Sequence, residues 1–150
     1  MIYTRFLRRL AASLIDLIII ILIYSVIINI EFSIFNYIYK DFDLSNTKYF
    51  RSVFILMVLS AFLLMITYFS VFESSKLQGG FGKIIMKISV VDDFCNKLKF
   101  SKALIRALFK SISIGIYISY ISILFTKRNR TFYDFILGTN VVNKKETSDT

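Results

Sequence analysis

The residues able to do chemistry in this sequence are few: Arg9, Asp16, Arg106 and Asp134, with Lys83 beside a cluster of glycines. Asp16 stands inside the apolar stretch 10–30. A charged carboxylate at the centre of a membrane helix costs about 2.5–3.5 kcal/mol on insertion scales. Such a side chain therefore faces a helix interface or a wet cavity, and has a partner or a function. The functional reading is an ion or proton site; the structural one is a paired carboxylate that fixes helix packing. Arg9 lies seven residues earlier, two helical turns away on the same face. Arg106 and the cluster Arg128–Arg130 are the other candidate counter-charges. Asp134, after Arg130-Thr-Phe-Tyr, reads by itself as a cap or a surface ion pair.

Gly79, Gly80 and Gly82 precede Lys83. Glycines before a lysine suggest a phosphate loop. That loop needs a Ser or Thr after the lysine and a strand before the glycines. Ile84 follows here and an apolar helix precedes, so a tight turn leaving a bilayer is the better reading. There is no His, which removes the commonest general base and metal ligand. The single Cys95 supports neither an internal disulfide nor a thiolate cluster. No metal, no cofactor and no catalytic residues are expected, and the chain does not read as an enzyme.

The elements that position these residues belong to a membrane protein. Of 150 residues, 56% are hydrophobic and 19% charged, against about a quarter charged in a soluble domain. About 20 apolar residues cross the hydrocarbon core. Helices over 10–30 and 53–72 meet that length, and the second carries no charge. A third apolar stretch over 111–126 is short unless residues from 104 extend it. Its alternating pattern resembles a strand, but a lone strand in lipid leaves backbone groups unsatisfied. As a helix over 104–126 it puts Ser111, Gly115, Ser119 and Ser122 on one face, where small residues allow close packing. Between the second and third segments, the run Lys87–Asp92, a turn at 93–96 and Lys97–Phe100 predict a β-hairpin within about 84–100. Ser101 is placed to cap the next helix, and the run 138–142 offers a further strand. The fold class expected is an all-α membrane protein: two transmembrane helices, a third membrane-embedded helix and a small cytoplasmic β-hairpin. One membrane domain covers 1–142, with a disordered tail at 143–150.

Basic residues concentrate at 5–9 and 76–110, whereas those of the loop 31–52 are balanced by acids. The positive-inside rule then places the N-terminus in the cytoplasm. A cytoplasmic C-terminus follows if the third segment does not cross. The net charge of +9 is spent flanking membrane segments, where it meets anionic headgroups; no nucleic acid is expected as a partner.

In their order, these pieces resemble the RDD family of membrane proteins. Arg8-Arg9-Leu-Ala-Ala-Ser-Leu-Ile-Asp16 resembles its opening motif. Gly82-Lys83 with Ile88-Ser-Val-Val91 resembles its glycine–lysine and strand signature, and Leu98, Ala103 and Arg106 the stretch after it. Arg130-Thr-Phe-Tyr-Asp134 and Gly138-Thr139-Asn-Val-Val142 resemble its closing motif. The resemblance implies that Arg9, Asp16 and Asp134 are the arginine and two aspartates that name the family. Members often carry Thr or Ser where this chain has Gly80, and His where it has Tyr133. The resemblance also implies transport, with cation/proton antiport suggested for some members.

The expected function is transport of an ion or small solute through the set Arg9, Asp16, Arg106 and Asp134, with Gly82, Lys83 and Gly138 as supporting motif residues. Two or three helices are too few to enclose a pathway, so a homo-oligomer or larger membrane complex is expected. The alternative is a non-catalytic scaffold or assembly partner whose charge set is structural. The expected place is a cell membrane, multi-pass, of the bacterial inner type.

Overall fold

A computed structural model describes residues 2–39, 47–112 and 131–143. Two long helices dominate it: α1 (Ile2–Ile38) and α2 (Thr47–Ser74). Leu7–Ile38 and Tyr49–Ser74 within them are long and apolar enough to cross a membrane. Both helices outrun the stretches read from the sequence, because composition marks the apolar middle and not the polar ends. With 37 residues, α1 is about 55 Å long, well beyond a hydrocarbon core of about 30 Å. Its lipid-type faces are open: Ile18, Leu22 and, on α2, Leu63 are each more than half exposed. Ser25, Asn29 and Ser33 satisfy themselves on carbonyls three or four residues back in their own helix. Tyr24 instead reaches across, its hydroxyl donating to the Met57 carbonyl at 2.7 Å.

After α2 the chain turns through the glycines into α3 (Phe81–Ile85), then β1 (Ile88–Asp92) and α4 (Phe100–Ile112). The described chain ends with α5 (Phe132–Leu137) and β2 (Thr139–Asn143). Helix α4 packs on the C-terminal part of α2, and α3 packs on α1. Ile20, Tyr68, Phe69 and Ala107 form a buried apolar cluster where α1, α2 and α4 meet.

The expected hairpin over 84–100 is corrected. Strand β1 pairs antiparallel with β2, from Ile88 opposite Asn143 to Asp92 opposite Thr139. Lys97 makes a single bridge to Val91. Two features stop a local second strand: Leu98 turns into the core, and α4 starts at Phe100. Ser101 therefore lies inside α4, not at its cap. The run at 138–142 is thus the second strand of the sheet. Asn143, expected in the tail, belongs to β2. A third membrane helix is not shown: α4 ends at Ile112, and 113–126 lies outside the described residues. So do Arg128–Arg130, Gly115, Ser119, Ser122 and the tail 144–150.

The docking of α3 on α1 depends on glycine. A Cβ on Gly82 would overlap the Ala12 backbone carbonyl, which cannot give way. A Cβ on Gly79 would meet only the flexible Lys83 side chain, at 2.9 Å. Overpacking of this kind costs about 1–3 kcal/mol. Gly82→Ala is expected at or above that range and Gly79→Ala at the bottom of it. Midpoints of thermal unfolding in detergent, read by size-exclusion recovery, should rank wild type, Gly79→Ala, then Gly82→Ala.

Candidate functional site

The apolar helix α1 could turn Asp16 towards lipid or inwards; the structure turns it inwards, fully buried. Its Oδ1 accepts hydrogen bonds from the Tyr68 hydroxyl and the Gly82 amide, each at 2.8 Å. The Tyr68 oxygen in turn accepts from the Phe81 amide at 3.2 Å. Helix α2 and the glycine loop thus both close on one carboxylate oxygen. Oδ2 is buried and, among the described residues, has no hydrogen-bond partner. A Cβ on Gly80 would overlap this carboxylate. The glycine cluster is therefore more than an exit turn: it wraps the acid, which fills the space a Ser or Thr would need. Among the described residues no arginine pairs with Asp16.

The arginines go elsewhere. Glu73, at the end of α2, is 1% exposed and takes Lys83 on Oε1 at 2.5 Å and Arg106 Nη1 on Oε2 at 3.0 Å. Arg106 Nη2 pairs with Asp134 Oδ1 at 2.7 Å, and the Thr139 hydroxyl donates to that same oxygen at 3.0 Å. Asp134 is thus a buried ion-pair member, not a surface one. Its position is set by Thr131, which caps α5 by accepting the Asp134 amide at 3.4 Å. Gly138 ends α5 in the left-handed conformation, φ 60°, and turns the chain straight into β2. Arg9 donates to the Val141 carbonyl of β2 at 2.9 Å, joining the two ends of the chain.

A model of the RDD family matches residues 3–138. The chain belongs to the RDD family. No curated protein and no solved structure matches it.

In this RDD protein the set Arg9, Asp16, Arg106 and Asp134 gathers at one end of the two long helices, but as two centres. Asp16 with Tyr68 and Gly82 is one. Glu73, Lys83, Arg106 and Asp134 form the other. Tyr133 lies with its ring 5.5 Å from the Arg106 guanidinium. Sequence reasoning missed three members. Glu73 had a signal, being the first acid after an uncharged span. Tyr68 had none, since tyrosine is common in apolar helices. Lys110 was counted only as a topology charge. Its ammonium lies 3.2 Å from the centre of the Phe69 ring, and no described carboxylate forms an ion pair with it. Burial first, then the charges of Lys83 and Arg106, push its pKa down to about 7; Glu73 and Asp16 oppose that. On the surface, Lys102 holds the Asp92 carboxyl below the usual range.

Arg9, Lys83, Arg106, Lys110, Tyr133 and Asp134 line a cavity of about 20 Å³, room for one water. Among the described residues no group of three His, Cys, Asp or Glu is placed to hold a metal.

Three outcomes follow. Removing one partner of a buried ion pair costs about 3–5 kcal/mol, so Glu73→Gln should lower the unfolding midpoint sharply. Arg106→Lys should rescue little of what Arg106→Ala loses, because one ammonium cannot bridge two carboxylates as the guanidinium fork does. For Lys110, the unfolded chain binds more protons than the folded one between pH 7 and the ordinary 10.5. Stability should therefore rise with pH through that window and be lowest below it. Lys110→Met should flatten that slope in detergent melts taken from pH 7 to 10.

Proposed function

We propose that this RDD protein is a non-enzymatic membrane transporter in which Asp16 loads and releases a proton or small cation. The single observation that carries this is the state of its carboxylate: Oδ1 is held by two neutral donors and Oδ2, among the described residues, has none. A buried polar oxygen without a partner is costly. A proton or a cation on Oδ2 supplies the missing interaction, so the site is complete only when loaded. The positive charge of Lys110 acts on Asp16 from a distance, and a like charge near the site opposes over-tight binding of a cation. The open apolar faces of α1 and α2 leave room for further copies of the chain, which would enclose a pathway. On the positive-inside rule the charge-bearing end, with the N-terminus, faces the cytoplasm of a cell membrane.

A second reading is a scaffold or assembly partner. The paired run Lys83–Glu73–Arg106–Asp134 favours it, because those charges are consumed in holding elements together.

The two readings part on one substitution. Asp16→Asn keeps an oxygen for Tyr68 and Gly82 and removes the exchangeable charge. In proteoliposomes bearing a proton gradient, wild type should couple it to sodium or potassium flux, and Asp16→Asn should fall to the level of empty vesicles. Undiminished flux in a well-folded Asp16→Asn protein would rule out the site. Loss of assembly in that variant, with no flux in wild type, would favour the scaffold.

A further inference from the structure

The cavity between α1, α4 and β2 holds a buried ammonium, Lys110, with no ion-paired carboxylate among the described residues. Four cations line it: Arg9, Lys83, Arg106 and Lys110. Asp134 lines it too, and Glu73 binds two of the lining cations. All four cations are at most 9% exposed. Buried charge of one sign is costly without an answering charge. Lys110 forms no ion pair with a described carboxylate, and its ammonium rests on the Phe69 ring.

We propose that this recess binds a phosphate group, one oxygen entering between Lys110 and Arg9 and the rest lying in the mouth. The dimensions fit: the inner cavity of about 20 Å³ admits one oxygen-sized atom, within a recess of about 300 Å³ that includes its open mouth. The place fits as well. The recess lies at the end of two helices of membrane length, where basic pockets between helices meet lipid headgroups. Arg9 supplies a planar fork suited to phosphate and Lys110 a point charge. A bound anion also offsets the burial that holds Lys110 down. The proposal is independent of whether Asp16 exchanges an ion. A phosphodiester of an anionic lipid and free inorganic phosphate present the same oxygens.

The test uses the full chain purified in a neutral, phosphate-free detergent. Thermal midpoints are followed against sodium phosphate and against sodium chloride at equal ionic strength. Lipid retention is read by native mass spectrometry with phosphatidylglycerol and with an uncharged glycolipid. The expected result is stabilisation by phosphate above chloride, preferential retention of phosphatidylglycerol, or both. Phosphate alone identifies the free anion, and phosphatidylglycerol alone the headgroup. Lys110→Met should weaken binding about tenfold, the worth of one charge-assisted hydrogen bond. Lys110→Arg should retain binding, and the exposed Lys76→Ala should leave it unchanged. Should Lys110→Met fail to fold, the wild-type titrations and Lys110→Arg still decide. Equal effects of phosphate and chloride with no lipid preference, or equal losses in Lys110→Met and Lys76→Ala, would overturn the proposal.

Discussion

Arg106 sits between two buried carboxylates, and most of the tertiary structure hangs on that bridge. One guanidinium nitrogen meets Glu73 at the end of α2, and another meets Asp134 on α5. Through Glu73 the bridge extends to Lys83 on α3, and through Asp134 to Thr139 on β2. Four elements besides α4 are thereby tied to one side chain. Hydrophobic burial alone would not select this arrangement, because residues such as Leu22 and Leu63 lie exposed on the faces of the long helices. In lipid, such faces gain little by meeting one another. Directional charge pairing at the helix ends supplies the missing selectivity.

The second centre works by shape as much as by charge. Asp16 is packed by glycines, and the absence of side chains at Gly80 and Gly82 lets backbone approach the acid closely enough for an amide to donate to it. A carboxylate held by an amide and a phenol can gain or lose a charge without the rearrangement that breaking a salt bridge would require. The two centres therefore differ in kind: one is locked by opposite charges, the other is held by neutral donors.

What the sequence made legible followed from rarity. An acid in an apolar stretch stands out, so Asp16 was visible. Arg106 and Asp134 stood out through a family resemblance, and the match over residues 3–138 supports that membership. Partners were harder to read. Tyr68 and Gly82 lie 52 and 66 residues from Asp16, and no local pattern encodes such distances. The β-branched run at 88–91 reads as a strand, and proximity in sequence offers 97–100 as its mate. Burial of Leu98 and the early start of α4 deny that pairing, and both are decided by tertiary packing. Helix ends were misjudged for a simpler reason: hydropathy reports the hydrocarbon core, whereas a helix continues through polar residues.

The contact between Arg9 and Val141, 132 residues apart, has a consequence in time. During synthesis α1 and α2 are complete well before α5 and β2 exist. Between Glu73 and Asp134 lie about 60 residues, or about 3–12 s of translation at ordinary bacterial rates. Within that interval Glu73 gains Lys83 and then Arg106, but Arg106 has only one of its two carboxylates until Asp134 is made. Asp16 lacks the Gly82 amide until the glycine loop folds back. The two long helices are complete before these charges have all their partners, and α5 and β2, made later, close the structure. A chain truncated before α5 would leave Arg9 and Arg106 without their Val141 and Asp134 partners, a state that a quality-control protease could distinguish from the finished protein.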